Sequence, residues 1–267
     1  MRPSSDLSPD GNGSSSSFNC CSVRIDARTL STAVDELLDQ PDPPRGRSVH
    51  LCNAYTLSLA RRDHALRGLL NEGDLNLPDG MPLIWLGRRL GLDHLDGRVY
   101  GPDLMLATMD RGRSVGLRHY LHGATDEVLE KLETELQMRL PGVDIVGRDA
   151  PPFRDLTPAE ELALSQRLTD LRPDMVWVGL GTPKQDAAVH RLAARTPCTF
   201  LAVGAAFDFI SGTKRQAPVW MQQRGLEWVY RLWREPRRMW KRYLVGNARF
   251  VAGVVRDYPK VEVRLTK

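Results

Sequence analysis

Residues 174–208, DMVWVGLGTPKQDAAVHRLAARTPCTFLAVGAAFD, decide the fold. Asp174–Gly179 is a short, continuous apolar run of the kind a strand covered on both faces requires. Gly181 then breaks the run. Thr182, Pro183 and Gln185 suit the N-cap, first and third positions of a helix, which predicts a capping box. Phe200–Val203 is a second apolar strand and feeds the segment Gly204–Asp208. Strand, helix and strand in this order form a βαβ unit, which brings parallel strands together through a crossover helix.

The alternation extends toward the amino terminus. Ser48–Cys52 reads as a strand before a helix holding Leu57, Leu59, Leu66 and Leu69, and Leu75–Leu77 as a strand before a helix through Ile84, Trp85 and Leu86. Arg98–Asp103 turns into a helix at Leu104–Met109. Val115–Leu121 is a strand followed by an amphipathic helix through Val128, Leu132 and Leu136, and Val143–Val146 precedes a helix at Pro158–Leu171. An α/β chain with a parallel sheet and flanking helices is the expected architecture.

Ligands of open α/β sheets bind beyond the carboxyl ends of the strands, which singles out the polar residues there. Asn53 stands at one such end, placed either to contact a ligand or to cap the following helix. Asp79, between Pro78 and Gly80, is placed either as a general base or as another N-cap. Gly123 and Gly181 precede helix amino termini, which attract phosphate. Neither turn is a G-x-G-x-x-G or a P-loop, so the dinucleotide, kinase and ATPase classes lack their signatures. No D-x-D triplet occurs to hold a metal on a diphosphate, and arginines would have to supply that counter-charge.

The cations are concentrated after residue 213. Between Thr213 and Tyr243 lie Lys214, Arg215, Arg224, Arg231, Arg234, Arg237, Arg238, Lys241 and Arg242 against Glu227 and Glu235, whereas the whole chain carries only +4. Arg231, Arg234, Arg238 and Lys241 fall on one face if the backbone is helical throughout, although Pro236 predicts a break near Glu235 and a second helix to about Arg256. Trp228, Tyr230, Trp233, Trp240 and Tyr243 interleave with them. That mixture suits anionic lipid head groups; it also suits nucleic acid, or a solvated helix whose tryptophans are core.

With 267 residues, 42% hydrophobic and 26% charged, the chain has globular composition, no apolar run of bilayer length and no signal sequence at its start. Its four cysteines show no metal-ligand spacing, so a reducing, cytoplasmic setting is expected. Residues 1–20 are expected to be a disordered tail, 21–212 the α/β body, 213–258 a basic, aromatic appendage and 259–267 a terminal tail.

Taken together, Asn53; Leu77–Gly80; Gly179, Gly181 and Pro183–Gln185; Gly204–Asp208; Gly212, Arg215, Ala217 and Pro218; Gly225–Trp228; Tyr230–Leu232; and Glu235–Arg238 resemble the WecG/TagA/CpsF glycosyltransferases, glycosyltransferase family 26, from about Ser22 to Tyr243. The resemblance implies a Rossmann-like sheet and an inverting hexosyltransferase of N-acetylmannosaminyl- or glucosyl-transferring type. It would move a sugar from a UDP-sugar onto a polyprenyl-diphosphate-linked saccharide, in cell-surface polysaccharide synthesis at the inner face of the bacterial membrane. By the same resemblance Asp79 corresponds to the general base and Asn53 to the polar residue beside it. Arg231 and Arg238 correspond to appendage arginines near the diphosphate, and Gly123, Gly181, Lys184, Gln185, Gly204, Ala205, Phe207, Asp208 and Arg215 to the nucleotide-sugar pocket. It departs from some members at Leu51, where they carry threonine, and at Asp186, where they carry glutamate. No metal cofactor and no nucleic-acid partner are expected, and either a homo-oligomer or the appendage itself would cover exposed apolar surface. The competing class is a non-catalytic α/β module that binds membranes or nucleic acid.

Overall fold

A computed structural model of the chain describes residues 14–39 and 45–265. In chain order the elements are β1 (Ser14–Cys20), β2 (Val23–Asp26), α1 (Leu30–Leu38), β3 (Arg47–Cys52), α2 (Ala54–Ala60), α3 (His64–Glu72), β4 (Leu75–Pro78), α4 (Met81–Arg89), α5 (Gly101–Gly112), β5 (Arg118–Gly123), α6 (Asp126–Arg139) and β6 (Asp144–Asp149). There follow α7 (Pro158–Leu171), β7 (Met175–Gly179), α8 (Lys184–Ala193), β8 (Thr199–Ala202), α9 (Ala206–Ile210), α10 (Val219–Gln223), α11 (Glu227–Arg234), α12 (Pro236–Trp240), α13 (Gly246–Arg256) and β9 (Lys260–Leu265).

Six strands form the main sheet in the order β4-β3-β8-β7-β5-β6, and every neighbouring pair is parallel. The period of two along a strand assigns successive side chains to opposite faces. In β7, Met175 and Trp177 enter the core layer beneath α1, α5, α6 and α9, while Val176 and Val178 enter the layer beneath α7 and α8. Both faces being covered explains why the central strands are apolar without alternation. Helix starts carry the expected chemistry: Thr157 and Glu160 form a capping box with Pro158 in the first turn of α7, and Thr125 caps α6.

The turn into α8 differs from the expected capping box. The helix begins at Lys184, its N-cap is Pro183 after a cis peptide bond, and no side chain caps it. Gln185 instead reaches back across the turn: its Oε1 accepts from the Gly181 N–H at 2.8 Å and its Nε2 donates to the Ala202 carbonyl at 3.3 Å, tying the ends of β7 and β8 together.

The expected disordered segment 1–20 is corrected from Ser14 onward; residues 1–13 lie outside the described residues. Polar β1 is the middle strand of a small antiparallel sheet, β2-β1-β9, with Ser17 opposite both Asp26 and Glu262. Phe18 and Cys20, two apart and on one face, are fully buried and anchor it. The expected tail 259–267 is likewise ordered as β9 as far as Leu265. This sheet covers a third core layer with α2, α3, α4 and α13, and so fixes the last helix against the body. Among the described residues no helix is long and apolar enough to cross a membrane.

Candidate active site at the carboxyl ends of the strands

Four strand ends converge on one cleft. Asn53 follows β3, Asp79 follows β4, Gly181 follows β7 and Gly204 follows β8; all four border a polar cavity of about 530 Å³. Its opposite wall is Asp208, Lys214 and Arg215 after β8, with Tyr230, Arg231, Arg234 and Arg242 from the appendage. A second cavity of about 570 Å³ opens between α4 and α13, and its walls are mostly apolar. Asn53, Asp79, Tyr100, Arg231 and Arg242 line both cavities, so Asp79 stands at the seam.

The backbone holds Asp79 there. Its N–H donates to the Cys52 carbonyl at 2.8 Å, joining the ends of the paired strands β3 and β4. The N-cap of α4 is Gly80, with no side-chain cap, so the Asp79 carboxylate is not a cap. Asn53 is the cap of α2 and also meets Asp79. Its Oδ1 accepts from the N–H groups of Tyr55 and Thr56 at 3.1 and 3.2 Å, capping α2, and its side chain hydrogen-bonds Asp79. A capping Asn has a fixed rotamer, and its amide is therefore aimed.

Burial pushes the Asp79 carboxyl up to about 6; Glu227 adds to the rise, whereas Arg98, Arg231 and the Asn53 hydrogen bond oppose it. Its Oδ1 is buried and accepts no hydrogen bond. Glu227, in the first turn of α11, bridges the two arginines: its Oε2 lies 2.6 Å from Arg98 Nη2, and its Oε1 pairs with Arg231 Nη2. Arg98 also lies 3.9 Å above the Tyr100 ring and donates to Gln222 Oε1 at 3.1 Å, while Arg231 lies 4.9 Å above the Phe209 ring. Burial works against the charge on both guanidinium groups, yet Asp79 and Glu227 hold each above its ordinary value. Asp79, Arg98, Glu227 and Arg231 are thus one electrostatic unit that fastens the appendage to the body.

Several expected site residues do lie on the polar cleft: Gly181, Gln185, Gly204, Ala205, Asp208 and Arg215. Asp208 is engaged by Lys214, whose Nζ donates to its Oδ2 at 2.6 Å. Gln185 is almost wholly buried and serves the loop ends as described. Three other expected site residues lie off the cleft. Lys184 is exposed and turned toward Phe153 and Asp155, outside the cleft. Phe207 is core, packed so closely on Gly179 that a β-carbon there would lie 2.7 Å from its ring. Gly123 borders neither cavity; it has φ +132°, and a β-carbon on it would lie 2.8 Å from the Gly179 carbonyl. Its glycine is needed where β5 meets β7, so Gly123→Ala should cost roughly 2–4 kcal/mol, read as a fall in Tm.

Arg238 is on α12, and its side chain lies outside the described residues. The break expected near Glu235 is present, with α11 ending at Arg234 and α12 starting at Pro236, so the four cations do not share one face: Arg231 turns inward to Glu227, and Lys241 is exposed beyond the break. Asp186 faces away from the cleft and is fully buried against His50, with Oδ1 and Nδ1 at 3.0 Å. Arg98, Tyr100, Glu227 and Arg242 were not among the expected site residues. An acid inside a basic helix marks Glu227 as unusual, but nothing local pairs it with Arg98.

The chain is 28% identical over 234 residues to the N-acetylglucosaminyldiphosphoundecaprenol N-acetyl-beta-D-mannosaminyltransferase of Bacillus subtilis strain 168, covering 85% of this chain and 88% of that protein. It is also 28% identical over 204 residues to the protein of the same name from Bacillus spizizenii, covering 76% and 77%. Residues 18–263 match the profile of the glycosyl transferases of the WecG/TagA/CpsF type, and with nearly the whole sequence accounted for in this way, the chain belongs to the WecG/TagA/CpsF glycosyl transferase family.

Proposed function

We propose that the chain is an inverting hexosyltransferase that takes a sugar from a UDP-sugar and adds it to a polyprenyl-diphosphate-linked saccharide in the synthesis of a cell-surface polymer. The observation that carries this is one desolvated carboxylate, Asp79, at the seam of a polar and an apolar cavity. The polar cavity suits the nucleotide sugar, with Gly181 and Gly204 letting backbone approach closely and Arg215 and Arg234 opposite them. Asp79 takes the proton of the acceptor hydroxyl, and that oxygen forms a bond to the anomeric carbon from the face opposite the leaving group. The bond from the anomeric carbon to the β-phosphate oxygen breaks, and its electron pair leaves on UDP. Cationic side chains on the polar wall stabilise the departing diphosphate without a metal.

The appendage supplies a route to the lipid-linked acceptor at the inner membrane face. Trp220, Trp233 and Trp240 are exposed, and Arg224, Arg237 and Lys241 are exposed beside them, a surface suited to acidic head groups.

Binding to the folded state alone raises Tm by mass action, so a UDP-sugar panel with and without chelator tests the donor assignment. The names of the two Bacillus relatives make UDP-N-acetylmannosamine the first to try, against a GlcNAc-diphosphate lipid as acceptor. Stabilisation by one UDP-sugar that survives chelation, followed by UDP release on adding the acceptor, is the expected result. A strict requirement for manganese would overturn the metal-free mechanism, and no response to any UDP-sugar with anionic vesicles present would overturn the transferase assignment.

A further inference from the structure

The apolar cavity is not needed for a nucleotide or for a sugar. Met81, Trp85 and Leu86 of α4 face Phe250, Val254 and Val255 of α13 across it. A saccharide there would leave its hydroxyls without partners along these walls, at a cost for each. The groove nevertheless begins at the wall it shares with the polar cleft, where Asp79, Arg231 and Arg242 are placed. The Nε–H groups of Arg231 and Arg242 are both buried there with no acceptor. Buried donors are normally satisfied, and two orphaned guanidinium N–H groups fit an anionic oxygen ligand. At the other end the groove reaches the surface, since Trp85 is 50% and Val255 76% exposed.

Close backbone approach sets both walls of this passage. The turn between α10 and α11 crosses α4 at Gly225, with φ +67°, where a β-carbon would lie 2.9 Å from the Trp85 ring and 3.1 Å from Met81 Cβ. On the opposite side Gly253 seats α13 on the body, because a β-carbon there would lie 2.8 Å from Cys21 Sγ.

We propose that the groove between α4 and α13 holds the first isoprene units of the acceptor's polyprenyl chain, with the acceptor diphosphate at Arg231 and Arg242 and its sugar hydroxyl at Asp79. This rests on the transferase assignment for its occupant, and adds that the enzyme selects its acceptor by lipid as well as by head group. A cation wall leading into an apolar trench matches an anion that continues as hydrocarbon. The size is also suitable, since small-molecule sites commonly span about 300–1,000 Å³.

The test is direct binding to the full-length protein, by calorimetry without vesicles, of inorganic diphosphate and of prenyl diphosphates with one, two and three isoprene units. Affinity should rise at least about tenfold from the one-unit to the three-unit ligand, with an increasingly negative heat-capacity change from apolar burial. Trp85→Ser and Val255→Asp alter solvent-exposed positions on the two walls, and each should flatten that dependence while leaving UDP-sugar stabilisation unchanged. Affinity independent of chain length, or chain-length dependence intact in both variants, would overturn the groove assignment. Absence of UDP-sugar stabilisation in the wild-type protein would instead count against the transferase assignment, since the prenyl series reads the groove independently of turnover.

Discussion

Asp79→Asn should lower kcat by about 10²–10⁴-fold while raising the melting temperature at neutral pH. The two effects have one origin. Asparagine keeps the shape of the side chain and can still accept from Asn53, but it cannot take a proton from an acceptor hydroxyl. The wild-type carboxyl is pushed from the ordinary 3.8 to about 6, chiefly by burial, so the rate should fall as pH drops through about 6. The stability effect has the opposite direction. A carboxyl with a raised folded-state pKa binds its proton more tightly when folded, so its contribution is most favourable below the unfolded value and is lost as pH rises through about 6. The rise to about 6 corresponds to roughly 3 kcal/mol at neutral pH, which the asparagine variant would recover in large part, as several degrees of Tm. The gain should vanish below about pH 4, where both states of the wild type are protonated. Turnover and calorimetry across pH 4–8 measure both curves; Asp79→Asn with more than a tenth of wild-type turnover would remove Asp79 from the role of base.

What the sequence disclosed follows from how local each cause is. A strand end followed by a polar residue and a helix start is a local pattern, and it located Asn53, Asp79, Gly181 and Gly204. The parallel sheet was legible for the same reason, since each βαβ step announces itself. Strand order was not, because β8 lies between β3 and β7 through contacts that no window of sequence contains. Seven mostly polar residues from Ser14 look disordered by composition, yet they pair on both sides with β2 and β9. The alternation of Val261, Val263 and Leu265 with charged residues was the available signal for that second partner. Gly123 and Lys184 show what a local pattern leaves open. Each sits in a turn of the right kind, but one is occupied by strand packing and the other projects outward, and only geometry separates these from ligand contacts. The apolar groove was hidden because its two walls come from α4 and α13, more than half the chain apart.

Removing the charge at Glu227 should disturb chemistry and stability together, since this one carboxylate joins Arg98 of the body to Arg231 of the appendage. Glu227→Gln leaves two largely buried guanidinium groups with only Asp79 to balance them. Glu227, unlike Asp79, makes the direct ion pairs to both guanidinium groups, and breaking such buried pairs costs on the order of 3 kcal/mol, so unfolding should begin at lower denaturant. A general loss of structure would also lower activity, and the pH profile separates the two explanations. Glu227 raises the Asp79 pKa, whereas Arg98 lowers it. The acid limb of kcat/KM should therefore move below about 6 in Glu227→Gln and above about 6 in Arg98→Gln. Both variants should bind the UDP-sugar more weakly and turn over more slowly, because each loosens α11, which carries Arg234 on the polar cleft. Nonspecific damage predicts no such opposed shifts. If the two limbs moved in the same direction, or stayed in place, Asp79 would not be titrating within this cluster, and the link between appendage docking and the base would be lost.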